Sequence, residues 1–333
     1  MSLASSAIAA TPRTGRLGAH PWVRFGVRRL GRLLVSLWVL VTASFLMIHL
    51  IPGDPVRAAL GPTAPASLVA AKRDEMGLDD PILVQYWHYV QGLFTGDLGT
   101  SIVSQLPVSD IVSQRLPATL ELALLAFVLA VAIAVPLGVT MGVLTRRGHG
   151  RRTELVFTTS SVILGIIPDF LFGVGLVYVF GVKLGWLPVA GNDTPSAYVL
   201  PVFALAIGPA AILSRIIRVE MVTVLEADFV RTARAKRLPK RTVYLGHALP
   251  NALTASLTLG GLILSAMVAG TVLVENVFAW PGLGSTIVSS ILNKDYQVVQ
   301  SIVLVYGVGV LLVNTSVDVA LALLDPRSMI RED

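Results

Sequence analysis

Six stretches of this chain are apolar for about the 20 residues that a lipid hydrocarbon core demands of a helix, and they leave few folds open. They run over Leu33–Ile51, Thr119–Leu144, Leu155–Phe180, Ala197–Ile217, Ala252–Val274 and Val298–Leu324. Lipid offers no partner to a backbone N–H or C=O, so each stretch is expected to cross as a helix that pairs its own backbone. A composition of 54% hydrophobic and 14% charged over 333 residues places the chain among integral membrane proteins. Pro136, Pro168 and Pro209 fall inside these segments, where each removes a backbone donor and is expected to kink its helix.

The basic residues orient the bundle. Twenty of the 26 Lys and Arg fall on one side of a six-span arrangement: in the N-terminal tail, between Arg146 and Arg152, between Arg215 and Arg241, and at Arg327 and Arg331. Cytoplasmic loops carry such an excess, which predicts that both termini are cytoplasmic. The net charge of +6 sits at the ends of apolar segments rather than on a polar surface, which argues against nucleic acid as a partner. No acid precedes Asp54, and the Arg-rich leader reads as a tail and interfacial elbow helix (1–32) before a retained first span.

An external segment, Pro52–Pro117, follows that span. Its middle is expected to be a helix with Asp80 as cap, Pro81 at the first helical position and a stripe of Tyr86, Val90 and Leu93. Such a helix could cover the bundle at the membrane interface or receive an external partner.

Sites for chemistry are missing from the sequence. No lysine follows a glycine, so there is no phosphate-binding loop for ATP; the five histidines are scattered, and there is no cysteine. The expectation is a non-catalytic chain with no metal and no cofactor of its own. Ionisable and amide groups at membrane depth remain as candidates for a translocation pathway: Asp169 after Pro168 in the third segment, and Asn314 and Asp318 one turn apart in the sixth. The alternatives are a buried or end-of-helix acid paired with a neighbour for Asp169 and hydrogen bonding between helices for the other two.

The densest basic block, eight Lys and Arg between Arg215 and Pro250, carries an internal pattern. Asp228-Phe229-Val230-Arg231-Thr232-Ala233-Arg234-Ala235-Lys236-Arg237 is followed by Leu249-Pro250. This resembles the cytoplasmic loop of ABC importer permeases, in particular the B-type subunit of the dipeptide/oligopeptide/nickel branch, from which it departs at Phe229 and Arg237. Further segments point to the same branch: Ile51-Pro52-Gly53-Asp54-Pro55, Gly96-Asp97-Leu98-Gly99-Thr100-Ser101, Leu116-Pro117-Ala118-Thr119-Leu120-Glu121-Leu122, the run from Val274 to Gly284, and Asp325-Pro326-Arg327.

The resemblance implies an all-α type I importer permease with six transmembrane helices. Residues 33–116 would hold the first helix and the external segment, 117–325 a five-helix core with a coupling loop at 218–248, and 326–333 a cytoplasmic end. The loop would form a helix from about Glu226 to Leu238 that docks on a separate ATPase, using Glu226, Asp228, Phe229, Arg231, Ala233, Arg234, Ala235, Arg237 and Leu238, with a second anchor at Leu249-Pro250. In this reading Asp228 caps the helix and Pro239 ends it. Arginine replaces the usual glycine at 237, so a turn built without a left-handed residue there is expected. Tyr86, Glu275, Phe278, Trp280, Pro281 and Gly282 are candidates for an external partner surface.

The implied partners are a second homologous permease, two ATPase subunits or one fused ATPase that hold ATP and Mg, an extracytoplasmic binding protein, and the lipid of a bacterial cell membrane. Di- and oligopeptides are the expected substrates, with nickel, glutathione, haem or opines left open. A standalone secondary transporter or channel, or a membrane scaffold, are the readings from other classes.

Overall fold

The computed structural model describes residues 21–50, 53–148 and 150–324. Twelve α-helices occur among them: α1 (Pro21–His49), α2 (Pro55–Leu60), α3 (Ala66–Glu75), α4 (Ile82–Thr95), α5 (Val108–Leu144), α6 (Arg151–Ile166), α7 (Asp169–Leu176), α8 (Val199–Glu226), α9 (Asp228–Ala235), α10 (Leu249–Val277), α11 (Leu283–Leu292) and α12 (Tyr296–Leu324). Helices α1, α5, α8, α10 and α12 contain stretches long and apolar enough to cross a membrane, and α6 with α7 makes a sixth if that bent pair is one span.

Three expectations are corrected here. The third span is not one helix: Pro168 stands at the N-cap of α7, Ile167 is extended, and the chain bends by 95° between α6 and the helical run ending at Lys183. Proline disfavours a helical residue before it, and this break is the result. The second span starts well before Thr119, because α5 runs 37 residues through Pro117 and Pro136; at about 55 Å it is longer than a hydrocarbon core. No turn separates an interfacial elbow from the first span, since α1 is continuous from Pro21. Residues 1–20 and the C-terminal Asp325-Pro326-Arg327 lie outside the described residues.

The centre of the bundle is α5 against α8, with α10 alongside. Ala126, Ala130, Ala134, Gly138 and Gly142 repeat every fourth residue of α5, and all five are buried. A Cβ at Gly138 would stand 2.7 Å from the Ile217 Cβ, and one at Gly142 would stand 2.6 Å from the Met221 Cβ. Small residues at this spacing let helix backbones approach closely, which is how helices associate without a hydrophobic drive from lipid. α12 closes the bundle between α10 and α1.

The segment between α1 and α5 begins with α2, α3 and α4. Asp54 caps α2 by accepting from the Val56 and Arg57 amides, and Arg73 on α3 bridges Asp54 and Asp79. Partial burial pushes the Asp54 carboxyl up, but the Arg57 and Val56 donors and the Arg73 guanidinium together hold it below its ordinary value. In α4, Pro81 rather than Asp80 takes the cap position, and no side chain caps the helix. Tyr86 turns inward, with its hydroxyl 2.9 Å from Thr42 Oγ1 and its ring edge-on to Phe45. Tyr86 therefore packs on α1 and is half-buried there.

Candidate functional site

The basic loop folds as a short helix hung between two spans. Ala227, with φ −64° and ψ 149°, is extended and ends α8 after Glu226. Asp228 is the first residue of α9, not its cap; its carboxylate pairs instead with Arg231 one turn on, at 3.2 Å. Val230 and Ala233 face inward into a cluster with Ile217, Met221, Leu225 and Val243, which fixes the helix to the bundle. Phe229, Arg231 and Ala235 face outward, so the helix presents an aromatic side chain among cations.

Arg237 departs from expectation. Its φ is +55°, and the turn is closed by Arg237 N–H donating to Arg234 O at 2.9 Å and Leu238 N–H to Ala233 O at 3.4 Å. This is the left-handed helix stop that glycine normally supplies; the backbone geometry is kept although the residue changed, and arginine bears the strain. Pro239 does not end α9 but starts the next helical run, with its carbonyl accepting from Val243. That run passes through a π-helical turn, Thr242–Ala248, directly into α10. Pro250 cannot donate within a helix, and a wider turn just before it redistributes the carbonyls it leaves without a partner. Leu249 is half-buried against the same cluster, whereas Pro250 is exposed.

A polar clamp, not evident from the sequence, gathers the span ends nearby. Arg218 on α8 donates to Glu154 on α6 at 2.5 Å and to Thr145 at the end of α5 at 3.0 Å. Arg146 lies over the Tyr244 ring, 5.9 Å from its centroid.

Asp169 stands at the break in the third span, first in α7 and half-buried. No hydrogen bond or ion pair reaches its carboxylate among the described residues. It faces two backbones: a Cβ at Gly208 of α8 would lie 3.0 Å from one carboxylate oxygen, and one at Gly270 of α10 3.5 Å from the other. Asn314 and Asp318 are not brought to it. Asn314 accepts from Ser265 of α10 at 2.9 Å, and Asp318 pairs with Arg29 of α1, so both tie helices together.

The sequence matches the family described as binding-protein-dependent transport system inner membrane component over residues 134–330, and that family's N-terminal membrane component over residues 22–123. The chain belongs to this family. It is an ABC importer permease of the oligopeptide branch and a protein of the bacterial inner membrane. It is 38% identical over 304 residues, 91% of this chain and 98% of the other, to "Glutathione transport system permease protein GsiC" of Salmonella choleraesuis (strain SC-B67). The protein of that name from Escherichia coli (strain K12) is 37% identical over the same span. The fold is similar to that of the inward-facing MetNI methionine ABC transporter, with a TM-score of 0.54 and 19% identity, covering 65% of this chain and 96% of that one. A permease of this kind generally works with ATPase subunits, a binding protein and a second permease.

In this permease the side chains of Glu275, Phe278 and Trp280 are turned into the protein rather than outward. Glu275 and Trp280 are 0% exposed and Phe278 is 1%, while Gly282 is buried and Pro281 half-buried. The Glu275 carboxylate accepts from Thr119 Oγ1 of α5 at 2.7 Å, Gly284 N–H at 2.7 Å and Ser285 N–H at 3.1 Å. Thr119 Oγ1 in turn accepts from Leu283 N–H at 2.8 Å, and Trp280 Nε1–H donates to Ala118 O at 3.0 Å. Together they cap α11 and pin it to α5, which an anion at a helix N-terminus favours. A Cβ at Gly282 would collide with the Glu275 carboxylate and Thr119. An acid, a Trp and a Pro-Gly pair read as a surface turn in sequence because Thr119, which satisfies the acid, lies 156 positions away.

Proposed function

We propose that this permease forms half of the translocation path for small peptides, including glutathione-like ones, and that α9 couples it to the ATPase. Its orientation has both termini in the cytoplasm and counts the bent α6–α7 pair as one of six spans. ATP and Mg belong to the ATPase subunits, and the path is completed by a second, homologous permease fed by the binding protein. The observation that carries the coupling role is the geometry of α9: one face seated in the bundle through Val230 and Ala233, the other projecting Phe229 and cations away from it. A helix that only marked the cytoplasmic side would need no exposed aromatic. The peptide class is supported by relatives named for glutathione transport.

Asp169 serves the pathway in this reading. An acid at membrane depth is costly unless it is used, and this one lies where the third span breaks, open to the backbones of α8 and α10. The decisive experiment is uptake by proteoliposomes holding the permease, its partner permease, the ATPase subunits and the binding protein. Uptake of a glutathione-class peptide that needs ATP inside and stops when α9 is altered by Phe229→Asp supports the reading. Uptake driven by an ion gradient without ATP contradicts it.

A further inference from the structure

An open groove of about 390 Å³ lies between the end of α5 and the start of α6, lined by Met141, Arg152, Thr153, Val156 and Phe157. Its lining is apolar apart from Arg152 and Thr153. Met141 and Phe157 are within one or two turns of the helix ends at Leu144 and Arg151. Arg152 lines the groove and is exposed, as is its neighbour Arg151, and no acid pairs with either among the described residues. Glu154, the acid closest in sequence, is already bound to Arg218 at 2.5 Å and leaves the rim cationic.

We infer that this groove is a binding site for an anionic glycerophospholipid of the cytoplasmic leaflet. One acyl chain lies along Met141, Val156 and Phe157, and the phosphodiester is held by Arg152 with Arg151. Guanidinium groups pair with phosphate oxygens through two parallel N–H donors, and basic pockets between transmembrane helices on the cytoplasmic side select anionic headgroups. An apolar slot beneath a basic rim fits a molecule with an anionic head and a hydrocarbon tail. A free phosphate would leave the slot unfilled, and a neutral lipid would leave the arginines without an anion. The consequence reaches the polar clamp, since Arg152 and Glu154 share the first turn of α6: bound lipid would hold that turn where Glu154 meets Arg218, beside the end of α5.

The assignment of leaflet rests on the orientation given under the proposed function, and the two can fail separately. Labelling a single cysteine in Gly148→Cys with a membrane-impermeant maleimide reads the orientation alone. The lipid site is read by native mass spectrometry of the whole transporter complex, delipidated and then offered phosphatidylglycerol or phosphatidylcholine of the same chain length. The unaltered complex should retain phosphatidylglycerol well over phosphatidylcholine. Arg151→Gln with Arg152→Gln should weaken its retention roughly thirtyfold, the effect of two charges at a membrane surface. Val156→Trp, which fills the slot and keeps the arginines, should lower retention of both lipids without changing the melting temperature of the complex. Equal retention of the two headgroups, or phosphatidylglycerol binding unchanged in the double variant, would overturn the proposal. So would loss of complex assembly in Val156→Trp with lipid binding intact, since a partner helix would then occupy the groove.

Discussion

Two acids in the apolar bundle are treated in opposite ways. Glu275 is closed from solvent and accepts from Thr119, Gly284 and Ser285, whereas Asp169 has no donor among the described residues and lies against the glycine-lined backbones of α8 and α10. A buried carboxylate costs several kcal/mol unless its lone pairs are met, so Glu275 is compatible with a rigid fold only because its donors are built around it. The end of the bundle near α11 is thus locked by satisfied polar contacts, and the break between α6 and α7 holds a half-buried acid without a donor among the described residues; the proposed pathway role would give that acid its partner.

That contrast can be broken most sharply at Glu275. Glu275→Ala leaves the Gly284 and Ser285 amides and the Thr119 hydroxyl buried without an acceptor, and is expected to destabilise the permease by on the order of 3 kcal/mol, read as loss of assembled complex and a lower melting temperature. Asp169→Asn should do the reverse: assembly and melting temperature hold while ATP-driven uptake falls roughly tenfold, the size of one charge-assisted hydrogen bond. If Asp169→Asn lowers stability and leaves uptake alone, the two acids are the same kind. Arg237→Gly relieves a left-handed arginine and should stabilise by about 1 kcal/mol, seen as slower hydrogen exchange at the Arg237 and Leu238 amides. The smallest effect is expected outside the membrane, at Asp54. Its carboxyl is held below the ordinary value of 3.8, so its contribution is full above that pH and is lost as pH falls through the lower folded value. Exchange at the Val56 and Arg57 amides should accelerate there by an amount worth at most about 1 kcal/mol, and the step should vanish in Asp54→Asn.

How much of this was legible in the sequence follows from the range of each interaction. The spans announce themselves through local hydrophobicity, and Ser265 with Asn314 satisfies the expectation that an amide in the sixth span bonds across helices. The break at Pro168 was visible as a proline, but its 95° angle was not, because the bend depends on what α7 packs against. Glu275 misled for the same reason: the hydroxyl and amides that bury it come from α5 and α11. Arg237 misled differently. Propensity disfavours a left-handed arginine, yet the turn that returns the chain from α9 to α10 needs one residue there, and tertiary demand outweighs about 1 kcal/mol of local preference.

The chain contains no native cysteine, so a single one at Phe229→Cys gives the most direct test of coupling through α9. In the assembled transporter it should form a disulfide with a cysteine placed in the surface groove of an ATPase subunit. ATP-driven uptake should stop on crosslinking and return on reduction. A Phe229→Cys transporter that imports normally while the cysteine reacts freely with bulky maleimide and never crosslinks to an ATPase subunit would contradict the account.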